Sequence, residues 1–206
     1  GQRCSALRIL FLPEVIANNT LKLLSGAMDE LEVGDPWSLS TDLGPVIDEA
    51  AQKNLQRHSD FLKKSKKAKL IAKLDIKKIS KEGSYFAPQI WEISDFSILT
   101  KENFGPILHV IRYKKGENLE EKINNLKFGL TFGIHTRIHK QYQGIENRIN
   151  AGNIYVNRNV TGAVVGTQPF GGEGLSGTGF KAGGPNYLLK FINERTLTIN
   201  TSAIGG

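Results

Sequence analysis

One cysteine, Cys4, stands in a chain of 206 residues, so no disulfide can close within it. That scarcity suits a reducing compartment, and the cytoplasm is the expected location. Long apolar runs are also lacking. The longest, residues 6–13, contains Arg8 and falls far short of the roughly 18 residues of a membrane helix, so no membrane span is expected. No secretory leader is legible at Gly1; the chain opens inside a motif, and an upstream region of the same polypeptide is expected. The net charge is +7, and eight lysines fall within residues 63–78, yet no aromatics are interleaved to stack bases. This run reads as a solvated helix end and loop, with no nucleic-acid partner. Metal-ligand clusters are missing as well. His135 and His139 stand four apart but straddle a strand end and a helix start with no third ligand, so no metal is expected. His58 and His109 read as ordinary.

What is present is a globular composition, 39% apolar and 23% charged, which excludes a disordered or fibrous chain. The length holds one sizeable core but is small for binding a dinucleotide and a second substrate. Residues 6–12 read as a buried strand ending at Pro13. A helix follows, with Val15, Ile16, Leu23, Leu24, Met28 and Leu31 at helical spacing before Gly34. A second helix starts near Pro45, its inward face formed by Val46, Ala50, Leu55, Phe61 and Leu62. Three β-like runs follow, at residues 68–76, 84–93 and 107–113, then a helix over 116–126. Residues 129–136 read as a strand, 139–150 as a helix, 153–157 as a strand, 185–192 as a short helix and 196–200 as a final strand. Strands alternating with helices predict an α/β fold with a largely parallel sheet flanked by helices.

Nine of the 22 glycines crowd into residues 162–184. A stretch of that composition forms a loop whose backbone takes unusual angles or approaches something closely, and loops of this length are often functional. Gly172, Gly174 and Gly177 satisfy the spacing G-x-G-x-x-G. The dinucleotide fingerprint, however, needs a strand feeding directly into a helix N-terminus, and the following TGFKAGGP cannot start a helix. The match is rejected.

Five ordered segments carry a specific likeness: GQRCS at residues 1–5; GDP and LGP at 34–36 and 43–45; GSYFAPQI at 83–90; ENFGP at 102–106; and AGNIYVN with QPFGG at 151–157 and 168–172. In this order they resemble the C-terminal catalytic portion of aldehyde dehydrogenases. The continuous run over residues 161–191 is most similar to glutamate semialdehyde dehydrogenases, also called pyrroline-5-carboxylate dehydrogenases, and among them to the version fused to proline dehydrogenase in the bacterial bifunctional enzyme proline utilization A. Gly174 stands where many other aldehyde dehydrogenases have lysine, as in that subfamily, whereas Phe180 departs from its usual proline.

The resemblance implies that Cys4 is the nucleophile, forming a thiohemiacetal and then a thioester, with its own backbone N–H as one oxyanion donor. It implies NAD as cofactor, NADP not being excluded, with Glu102 on the nicotinamide ribose and Phe104 beside the nicotinamide. FAD would belong only to a fused proline dehydrogenase domain outside this chain. For the small-molecule aldehyde, Ser5 and the backbone N–H groups of Gly183 and Gly184 match the carboxylate anchor, and Phe191 an aromatic wall; Phe170 reads either as shaping the loop or as plain core. The family's general-base glutamate, its oxyanion asparagine and most of its Rossmann-like cofactor domain lie upstream, so the isolated chain is expected to be inactive. Residues 1–191 are expected to form the catalytic domain and 192–206 a C-terminal oligomerisation strand and tail, pairing through 196–200 into a homo-oligomer. A related dehydrogenase for succinate semialdehyde, and a non-catalytic basic binding module, remain as alternatives.

Overall fold

The computed structural model describes residues 1–76, 83–164, 166–177 and 179–203. The chain divides into two compact units, Gly1–Ile123 and Asn124–Gly206.

The first unit is built on four strands, β1 (Ile9–Pro13), β2 (Ala68–Lys73), β3 (Gln89–Ile93) and β4 (Ile107–Tyr113), and two helices, α1 (Glu14–Asp29) and α2 (Glu49–Lys64). The sheet order is β1-β4-β3-β2. β4 runs parallel to both β1 and β3, while β2 joins β3 antiparallel, so the sheet is mixed with a parallel centre. Side chains alternate across the pleat, and both faces are apolar. Leu12, Ile90 and Val110 meet Ala17, Leu21 and Met28 of α1 on one face. On the other, Trp91, Ile93, Ile107 and Ile111 meet Leu55 and Leu62 of α2. The result is a three-layer α/β/α unit. Each large side chain buried there contributes about 1.5–3 kcal/mol.

Local chemistry sets the helix ends. Asp48 caps α2 by accepting the Ala51 N–H at 2.7 Å, which stabilises the helix by about 1 kcal/mol. Lys63 and Lys64 close its last turn, where cations oppose the helix dipole favourably. The lysine run thus falls on a helix end and on β2, an edge strand whose exposed Lys69 and Lys73 discourage further pairing. Lys77 and Lys78 lie outside the described residues.

The helix faces differ from expectation. On α1, Val15, Ile16 and Leu23 point outward and are exposed, because the sheet receives the stripe Ala17, Leu21, Leu24 and Met28. On α2, Ala50 and Phe61 are exposed while His58 and Ser59 are buried. Polar side chains took inward positions because partners wait for them, as the site below shows.

The second unit has shorter elements. α3 (Leu119–Asn124) leads into it, and β5 (Phe128–Gly129), β6 (Thr131–Ile134), α4 (His139–Tyr142), β7 (Asn153–Val156) and β8 (Glu173–Gly174) follow. β6 and β7 pair parallel, and β5 and β8 antiparallel. The helix expected over 139–150 stops after one turn, because Gly144 takes φ +69° and a 3₁₀ turn at Ile145–Asn147 follows. The expected helix near 185–192 is a 3₁₀ segment, Tyr187–Phe191. Residues 196–200 pair with no strand and are exposed, contrary to the expected final strand. A strand forms only against an edge that receives its N–H and C=O groups, and none is offered to this segment among the described residues. No described helix is long and apolar enough to cross a membrane.

Candidate active site

In the first unit the chain turns over residues 3–6, closed by the Ala6 N–H donating to the Arg3 carbonyl at 3.1 Å, before entering β1. That turn presents Cys4 as an exposed free thiol. Ser5, its neighbour, is buried. The turn is tied to the segment preceding β4. Gln2 donates through Nε2 to the Phe104 carbonyl at 3.2 Å and accepts the Ile47 N–H at 2.7 Å.

Arg8 makes the larger connection. Its guanidinium donates to the carbonyls of Gly1 at 2.5 Å, Arg3 at 3.1 Å and Gly105 at 3.3 Å. The same group lies 4.7 Å from the centroid of the Phe104 ring, and its Nε is 3.6 Å from a Glu102 carboxylate oxygen. Burial lowers the Arg8 pKa, and Glu102 opposes that shift. Glu102 and Phe104 both remain partly exposed, with 46% of the Glu102 side chain accessible. Cys4, Glu102 and Phe104 therefore belong to one connected arrangement, whereas Ser5 faces inward.

Gly105 sits directly on α2. A Cβ there would overlap the side chain of Leu55, which is 2% exposed, so only glycine lets this backbone close onto the helix.

Beneath the turn lies a buried histidine pair that sequence reasoning passed over. Nε2 of His58 and Nε2 of His109 are 2.8 Å apart, and His109 Nδ1 is 3.2 Å from the Arg8 carbonyl. The carbonyl only accepts, so His109 carries its proton on Nδ1 and accepts at Nε2 from His58. Gln89 completes the polar layer by accepting from Ser59 Oγ at 2.9 Å and Trp91 Nε1 at 2.7 Å. Burial lowers the His58 pKa to about 4, with the His109 and Lys101 charges adding to the effect. Burial likewise lowers His109 to about 4. The unfolded chain therefore takes up these protons first, near pH 6.5, and stability falls as pH drops from there towards 4 and then levels. The cost is on the order of 3 kcal/mol for His109 alone. Thermal melts across this range should show a flatter pH dependence in His58→Leu/His109→Leu; an unchanged slope would remove the pair as its cause.

In the second unit the glycine-rich segment is held by specific bonds. Lys181 Nζ donates to the carbonyls of Gly152 at 2.5 Å and Gly171 at 3.0 Å. Asn153 donates to the Pro169 carbonyl and accepts the Gly171 N–H, and Phe170 and Ala182 exchange backbone hydrogen bonds. Gly183 takes φ +70°, and the Gly184 N–H donates to the Lys181 carbonyl at 3.1 Å. Phe191 is 68% exposed and meets the Tyr187 ring edge-on at 5.6 Å. Phe170 is half-buried in this loop. The G-x-G-x-x-G spacing folds into β8 and a turn whose Leu175 N–H donates to Lys127. A Cβ at Gly177 would overlap the Gly172 carbonyl, so these glycines serve close backbone packing rather than a phosphate cradle. His139 packs against Tyr142, and no described group of three His, Cys, Asp or Glu side chains is placed to hold a metal.

Arg8 and Lys181 were not among the residues singled out by sequence, and Gln2 was read only as part of the GQRCS motif. For Arg8 the available signal was a charge inside an otherwise apolar strand run, which is costly unless the charge is satisfied.

The profile described as the aldehyde dehydrogenase family matches residues 1–197. Bifunctional protein PutA of Escherichia coli (strain K12) is 48% identical over 200 residues, covering 95% of this chain and 15% of the relative. The 1-pyrroline-5-carboxylate dehydrogenase of Geobacillus sp. (strain WCH70) is 33% identical over 200 residues, covering 96% of this chain and 38% of the relative. Among solved structures, a bifunctional proline utilization A (PutA) protein superposes with a TM-score of 0.87 at 48% identity, over 99% of this chain and 20% of that one. The 1-pyrroline-5-carboxylate dehydrogenase from Thermus with bound NAD gives 0.83 at 33% identity, over 93% and 36%. The chain thus spans well under half the length of these relatives.

Proposed function

The chain belongs to the aldehyde dehydrogenase family, and from that premise we propose that it is the C-terminal catalytic segment of an NAD-dependent L-glutamate γ-semialdehyde dehydrogenase acting in proline breakdown. The observation that carries the reading is the tie between the exposed Cys4 turn and the Glu102–Phe104 segment through Arg8 and Gln2. It joins Cys4, the nucleophile of this reading, to Glu102 and Phe104, its cofactor-binding pair, in one piece of structure.

Cys4 attacks the aldehyde carbon as a thiolate, and the resulting thiohemiacetal oxyanion is stabilised by the Cys4 backbone N–H. Glu102 and Phe104 would hold NAD, which would supply the hydride acceptor for this carbon. A thioester remains on Cys4, and water releases L-glutamate and the free thiol. The local chemistry fits the cofactor: the half-exposed Glu102 carboxylate is an acceptor for ribose hydroxyls, and the Phe104 ring, 40% exposed, offers a face to the nicotinamide. For the substrate's α-carboxylate, the family likeness gives Gly183 and Gly184 the role of backbone approach without a side chain, and Phe191 that of an apolar wall. The proposal places the family's general base and second oxyanion donor in the part of the relatives that this chain does not span, and with it an isolated chain that does not turn over. Residues 1–191 are the catalytic portion, and 196–200 become a strand when another subunit offers an edge. The location proposed is the cytoplasm.

The complete enzyme carrying this chain should reduce NAD with glutamate semialdehyde at a kcat/KM at least about tenfold above that with succinate semialdehyde. Equal values for the two aldehydes would remove the amino-acid carboxylate anchor from the reading.

A further inference from the structure

Arg8 reaches the backbone of the nucleophile turn by hydrogen bonds and the segment before β4 by charge, hydrogen bond and ring contact. Its Nη atoms are occupied by the carbonyls of Gly1, Arg3 and Gly105. Nε is different. It is buried, makes no hydrogen bond to any described group, and faces the Glu102 carboxylate at 3.6 Å. A guanidinium serving only as a structural staple would take that carboxylate into a close two-bond fork. The longer single contact instead attracts Glu102 while leaving its carboxylate half exposed and its lone pairs available. On Phe104 the guanidinium lies 4.7 Å from the ring centroid, and the ring keeps 40% of its surface open. One group therefore aims a carboxylate and an aromatic ring while anchoring the turn that carries Cys4.

We propose that Arg8 is a positioning residue for the cofactor: it sets the Glu102 carboxylate and the Phe104 ring against the Cys4 turn, so that nicotinamide ribose binding and thiol placement depend on one guanidinium. The inference rests on the reading of Glu102 and Phe104 given above. It assigns Arg8 no contact with the cofactor itself.

The test is a double-mutant cycle in the complete enzyme, reading equilibrium NAD binding by titration calorimetry, which needs no turnover. Arg8→Gln should weaken NAD binding about tenfold, and Glu102→Gln by a similar factor. The double variant should be weaker than the worse single by less than about twofold, because the two act as a unit. Arg8→Lys keeps the cation and loses the planar fork, so it should give an intermediate loss; it carries the cycle if Arg8→Gln does not fold. As a second readout, NAD should alter the alkylation rate of the Cys4 peptide in the parent and lose that effect in the Arg8 variants. Effects of Arg8 and Glu102 that simply multiply, or folded Arg8 variants that bind NAD like the parent, would overturn the inference while leaving Glu102 in place. Unchanged NAD binding in Glu102→Gln would overturn the cofactor reading, and this inference with it.

Discussion

On the proposed reading, Cys4→Ala in the complete enzyme should abolish NADH formation from glutamate semialdehyde, lowering kcat by roughly 10⁴-fold or more, the effect expected of removing a covalent nucleophile. Cys4 is the only thiol in the chain, and the hydroxyl beside it, Ser5, is buried. A serine at position 4 would not rescue the rate, since a hydroxyl is almost wholly protonated at neutral pH where a thiol has an accessible anion. The side chain at position 4 is exposed, so its loss leaves the fold unchanged, and the melting temperature should match the parent's. A rate above about a tenth of the parent's in a folded Cys4→Ala protein would remove the thioester route altogether.

The second large effect is on stability and joins α2 to the segment before β4. Leu55→Ala empties a fully buried position in the core facing α2 and should cost about 2–5 kcal/mol. Gly105→Ala alone should cost about 1–3 kcal/mol, because its methyl enters the space of the Leu55 side chain, which other core residues hold in place. Made together they should not add. The methyl at 105 enters the cavity left at 55, and the double variant should be about as stable as Leu55→Ala, a coupling of about 1–3 kcal/mol readable from urea melts of this chain. Strict additivity would mean that Gly105 is destabilising for its backbone and not for its contact.

Legibility in the sequence followed element length and separation. β1, β3 and β4 are five to seven residues, apolar on both faces, and their runs stand out against flanking glycine and proline. On α1 the expected face included Val15 and Leu23, because large aliphatics dominate a reading by hydropathy, whereas the small Ala17 is the residue fully buried in the core against the sheet. In the second unit, elements of two to four residues carry too few side chains to show a period, and Gly144 ends α4 early.

The site divides similarly. Cys4, Glu102 and Phe104 were named through a likeness of motifs, since nothing in their spacing announces a shared purpose. The partners that unite them are invisible to a linear reading: Arg8 reaches Gly105, and His58 reaches His109, only once the sheet has formed. Ser5 shows the converse, where a plausible polar neighbour of the nucleophile turns inward.

The pairing of β1 with β4 brings a matter of timing. Ile9 finds its place beside His109, so nearly the whole first unit must be made before β1 has an edge to join. Closing so long a stretch of chain is entropically expensive and kinetically slow. The turn bearing Cys4 leaves the ribosome among the first parts of this segment and is set among the last. Until then the Phe104 and Gly105 carbonyls that tie this turn are not in place, and the thiol stands in chain that nothing yet holds.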